Sequence, residues 1–126
     1  MQLRLLSVAV IATALTGAAP ISAQTMMELD QKAGEIYQQA DRQLADVYAK
    51  LMAKISADSQ AKLKQTQETW LRFRDDECTF RTRGTIGGSI NSMIFTKCRT
   101  ALTADRIKDL DYQLICQQGD FFCSLQ

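Results

Sequence analysis

The sequence predicts an all-α domain: a small bundle of three to four helices, stapled by disulfides and led by one long N-terminal helix. Three observations predict it. Apolar residues recur every three or four positions over most of the chain, the single proline is Pro20, and glycines cluster in one stretch, Arg83–Ser89. Four cysteines, Cys78, Cys98, Cys116 and Cys123, all fall in the second half.

Residues 1–23 read as a signal peptide rather than as fold. Met1-Gln2-Leu3-Arg4 is a basic start, Leu5–Leu15 is apolar, and Pro20-Ile21-Ser22-Ala23 ends in a small residue suited to cleavage. The apolar run is too short to span a bilayer and no cysteine stands near the cut to take lipid. Residues 24–126 are then one exported helical domain, periplasmic or secreted, with no stable membrane insertion after cleavage. Without Arg4 the chain keeps 14 Lys and Arg against 14 Asp and Glu, and that neutrality argues against nucleic acid as a partner.

The first helix is predicted over Met26–Ile55, where Leu29, Ala33, Ile36, Ala40, Leu44, Val47, Leu51 and Ile55 form one stripe. Tyr37 and Tyr48 lie at its margin, with rings buried and hydroxyls wet. Ser56-Ala57-Asp58-Ser59 breaks the pattern with capping residues, and a second helix follows from about Ser59 to Thr82.

The second helix holds the densest chemistry. Its residues Lys64, Glu68, Arg72 and Asp76 are successive i, i+4 partners of opposite charge and read as a solvated ladder. Gln67, Trp70, Arg74 and Glu77 share the other side, so polar groups accompany the only tryptophan. A charge on that side is tolerated only when it is paired, so Arg74 and Glu77 are expected to bond to each other, with Arg106 as third member. The alternative for that set is a ligand-binding Arg–Glu pair.

Asp75, Asp76 and Glu77 are adjacent in sequence and point about 100° apart on a helix, which argues against a catalytic cluster. With no histidine in the chain, the usual base near neutral pH is missing. Glycosidase chemistry would need two carboxylates across a cleft, such as Glu77 and Asp41. The chain is read as a non-enzyme with no cofactor. A metal site is disfavoured by the lack of histidine and of a close cysteine pair.

The segment Arg83-Gly84-Thr85-Ile86-Gly87-Gly88-Ser89 lacks the strand and the Lys-Ser/Thr of a phosphate loop. It reads as a flexible link and a candidate binding loop. The next helix starts near Ser89–Asn91 and carries Ile90, Ile94, Cys98, Ala101 and Leu102. Beyond it the apolar phase shifts to Ile107, Leu110 and Leu114, which favours a break with Thr103 as N-cap. Four cysteines allow three pairings; Cys78–Cys98, closing the glycine loop, and Cys116–Cys123 are preferred. Phe121 and Phe122 are expected to fold back onto the bundle.

The string Gln67-x-x-Trp70-x-x-x-Arg74-Asp75-x-Glu77-Cys78, with Gly87-Gly88-Ser89, Cys98 and Leu102-Thr103-x-x-Arg106-x-x-x-Leu110, resembles the LprI-type lysozyme-inhibitor N-terminal domain family. The likeness covers about residues 28–114 and departs from the family at Cys116 and Cys123. It implies a small exported bacterial helical domain and a protein partner in the envelope or outside, lysozyme among the candidates. The competing reading is a structural or stress-related periplasmic protein without lysozyme activity.

Overall fold

A computed structural model describes residues 21–117 and 119–125, with side chains from Thr25 onward. Residues 1–20 of the expected signal peptide lie outside them. Three α-helices and one short 3-10 turn make up the described fold: α1 (Ile21–Met52), α2 (Ala57–Arg81), the turn Arg83–Thr85, and α3 (Asn91–Ile115). At 1.5 Å per residue, α1 is about 48 Å long.

The helix boundaries have local causes. Past Met52 the chain tightens, Lys54 N–H donating to Leu51 O at 2.9 Å. The Gln60 amide then donates to Met52 O at 2.9 Å and Ile55 O at 3.2 Å, giving a partner to carbonyls that a helix end leaves open. Ser56 caps α2, its hydroxyl accepting from Ser59 N–H at 3.3 Å.

Most interhelical packing is α1 against α3, and α2 leans chiefly on α3. Tyr37 meets Arg99, and Leu51 packs with Leu110, so α1 and α3 run parallel. Gln67 meets Arg106 while Arg74 meets Thr103, so α2 runs the other way. The core joins Leu44, Val47, Leu51 and Ile55 to Ile107 and Leu110, with Tyr48, Leu63, Trp70, Leu114 and Leu125 around it. Each buried aliphatic contributes roughly 1.5–3 kcal/mol. Of the predicted α1 stripe, Leu29 and Ile36 stay exposed.

α3 does not break at Thr103. That residue is fully buried in mid-helix. Positions 103, 107, 110 and 114 step by four, three and four, so Thr103 continues the inward stripe as a polar member instead of ending it.

Two disulfides staple the fold. Cys78–Cys98 ties α2 to α3 over a separation of 20 residues, and Cys116–Cys123 closes a ring of separation 7. Phe121 and Phe122 do not fold back: they are 98% and 81% exposed. The inward positions of this tail are Cys123 and Leu125. Gln113 orders the ring, donating to Phe122 O at 2.7 Å and accepting from Ser124 N–H at 2.8 Å.

Candidate functional site

Arg74 is the one charged side chain fully inside the described fold, at 4% exposure. It sits where all three helices meet. Its Nη1 donates to Asp41 Oδ1 of α1 at 3.2 Å and to Thr103 Oγ1 of α3 at 3.3 Å, and its Nε donates to Asp75 Oδ1 at 3.0 Å. Its guanidinium carbon lies 5.3 Å from the Trp70 ring centre and 5.5 Å from that of Tyr37. A buried guanidinium is thus given carboxylates, a hydroxyl and aromatic surface, which is what such a charge requires.

The cluster extends to two further arginines. Arg99 stands 4.3 Å from the Tyr37 ring centre and donates through Nη2 to the Tyr37 hydroxyl. Its Nε is 3.1 Å from Asp75 Oδ1 but finds no hydrogen-bond partner, so that contact is an out-of-line ion pair. Arg106 donates through Nε to Gln67 Oε1 at 3.1 Å and lies 5.8 Å from the Trp70 ring centre. Burial pushes the Arg106 guanidinium below its usual pKa, opposed by Asp109. Burial also pushes the Tyr37 phenol up, with Arg74 and Arg99 acting against it.

Glu77 stands outside this network. It accepts from Arg81 Nε at 2.7 Å, one turn further along the same helix. Arg74 is instead saturated by Asp41 and Asp75, because a long guanidinium can turn back onto the residue next to it even though adjacent α-carbons point apart. The Glu77–Asp41 carboxylate pair that glycosidase chemistry would need is accordingly split, each acid held by its own arginine. Lys64, Glu68, Arg72 and Asp76 are all exposed, and no ion pair joins them among the described residues. Arg72 donates instead to Thr69 Oγ1 at 3.4 Å.

Asp41, Asp75, Thr103, Tyr37 and Arg99 were absent from the polar set expected on sequence grounds. The signal for two of them was available: Arg99, Thr103 and Arg106 are spaced by four and three, one polar face of α3.

The glycine segment is braced, not slack. Thr85 Oγ1 donates to Thr82 O at 2.9 Å, Asn91 Nδ2 donates to Thr85 Oγ1 at 2.8 Å, and Gly88 N–H donates to Thr85 O at 3.0 Å. Gly87 has φ +81°, which a side chain disfavours. Arg83, Gly84, Gly87, Gly88 and Ser89 are all exposed. Around them Phe80 is 70% and Ile86 69% exposed.

Among the described residues no group of three His, Cys, Asp or Glu side chains could hold a metal ion, and no helix is long and apolar enough to cross a membrane. Compared with known families, residues 17–110 of the 126 match the family described as Lysozyme inhibitor LprI. The chain belongs to the LprI lysozyme-inhibitor family. No curated protein and no solved structure matches it. In this LprI-family chain the motif arginine Arg74 is the hub of the bundle, and Cys78 fixes α2 to α3 four residues later.

Proposed function

We propose that this LprI-family chain is an exported, non-catalytic binding module that inhibits lysozyme. Family membership carries the reading. The architecture supports it: two disulfides fit an oxidising compartment, and the N-terminal segment has the outline of an export signal ending at Ala23. The domain is residues 24–126, working in the periplasm or outside the cell.

The Arg74 cluster is scaffold in this reading. Asp41 and Asp75 both pair with Arg74, and Asp75 with Arg99 as well, so the acids of the cluster serve its arginines. The module therefore engages its partner through exposed surface and consumes nothing.

The test is hydrolysis by a c-type lysozyme with increasing mature chain, disulfides intact. The proposal requires saturable loss of activity near stoichiometric amounts. Undiminished hydrolysis at large molar excess removes it, and the structural or stress-related reading then takes its place.

A further inference from the structure

We infer that the contact surface for the lysozyme is the loop end of the bundle, formed by Phe73, Phe80, Arg83 and Ile86, and that it occupies the enzyme's saccharide cleft. This inference rests on the inhibitor reading above and adds where and how the partner is met.

Four independent features coincide there. First, α2 turns large apolar side chains outward: Phe73 is 53% and Phe80 70% exposed, and at i, i+7 they lie on one side of the helix. Ile86, 69% exposed, follows directly in the loop. Exposed apolar groups of this kind mark a contact. The opposite end also bares Ile115, Phe121 and Phe122, but residues 109–126 hold no lysine or arginine to accompany them.

Second, the loop is pre-ordered. The Thr82–Thr85–Asn91 hydrogen bonds and the Cys78–Cys98 bridge hold it, so less ordering entropy is lost on binding. Third, it is slim. A Cβ added at Gly84 or Gly87 would meet nothing within 4 Å, and of the two only Gly87 has a backbone that demands glycine. Gly84 therefore answers to no internal packing, and its open surface permits close approach by a partner.

Fourth, the chemistry is complementary. Arg83 is exposed and has no ion pair among the described residues, unlike Arg74, Arg81 and Arg99. A glycosidase cleft presents two carboxylates about the scissile bond, with apolar and aromatic walls for the sugar. A guanidinium pairs with a carboxylate in a fork, and phenyl and aliphatic groups suit the walls. The open groove of about 690 Å³ between α2 and α3 is a poorer contact: Asp58 and Asp109 stand against Lys62 and Arg106 along it, and its third basic group, Lys108, is already paired with Asp105.

The experiment is steady-state inhibition of a c-type lysozyme on a soluble chitooligosaccharide. The unaltered chain should raise KM and leave kcat unchanged, and tri-N-acetylchitotriose should compete with it. Arg83→Gln and Phe80→Ser should each weaken inhibition by about tenfold or more, the scale of an interface hot spot. Gly84→Leu should also weaken it, while helicity and the Cys78–Cys98 bridge stay intact in all three. Arg72→Gln on the exposed ladder should inhibit like the unaltered chain. If the unaltered chain inhibits but does so without competition, or if the loop variants inhibit as well as it does, this inference falls and the inhibitor reading stands. If the unaltered chain does not inhibit, both fall.

Discussion

Replacing Arg74 by Met should be the most damaging single change in the helices. Methionine keeps an apolar stem between Tyr37 and Trp70, so the loss isolates the guanidinium. Thr103, fully buried, would be left with an unpaired hydroxyl, at about 1–3 kcal/mol. The bonds to Asp41 and Asp75 count for less, because both acids are 48% exposed and can rehydrate, and Arg99 still neutralises Asp75. Adding the two ring contacts at about 0.5–1 kcal/mol each gives a total near 3 kcal/mol. For a domain of this size that is a fall in Tm of roughly 12–24 °C. Urea unfolding followed by Trp70 fluorescence and by helicity measures it. Arg74→Lys should recover little, since a single ammonium nitrogen cannot reach in one position the partners that Nε and Nη1 meet separately. A loss below about 1 kcal/mol for Arg74→Met would refute the claim that Arg74 organises the helices.

Further outcomes follow from the same contacts. Glu77→Gln should change stability by no more than about 0.5 kcal/mol, because its partner Arg81 is solvated, whereas Thr103→Val should cost about 1–2 kcal/mol by taking an acceptor from a buried arginine; chemical denaturation separates the two. Replacing Cys78 and Cys98 together by Ala should cost about 3 kcal/mol, and the shorter Cys116–Cys123 ring about 2.5 kcal/mol, both read from thermal melts. Tyr37 has a folded pKa raised by burial, so its contribution is fully present below the ordinary tyrosine value near 10 and is lost as pH rises through the higher folded value. Melts across that alkaline range should fall more steeply for the unaltered chain than for Tyr37→Phe.

The parts of this fold that were legible in the sequence are those governed by local rules. The α1 stripe from Leu44 to Ile55, the helix break within Ser56–Ser59 and the cysteine spacing each depend on residues close together in the chain. The arginine cluster was legible only in part. Trp70, Arg74, Gln67 and Arg106 could be placed on facing sides by helical phase, but which acid meets Arg74 depends on the register of α1 against α2. That register puts Asp41, 33 positions away, in contact. Thr103 was misplaced for a physical reason: a polar residue in an apolar stripe looks like an interruption until the buried charge it serves is known. The tail was misjudged because aromatic content suggested burial, whereas the disulfide and Gln113 hold the ring so that Phe121 and Phe122 face water.

The central claim is a division of labour, in which the Arg74 cluster holds the helices and the loop end meets a lysozyme. Backbone amide NMR of the labelled mature chain, titrated with unlabelled c-type lysozyme, tests both halves at once. The account predicts saturable shift changes at Phe73 and from Phe80 to Ser89, and quiet amides around Tyr37, Asp41 and Thr103. An unchanged spectrum, or changes centred on the Arg74 cluster with the loop silent, would contradict it.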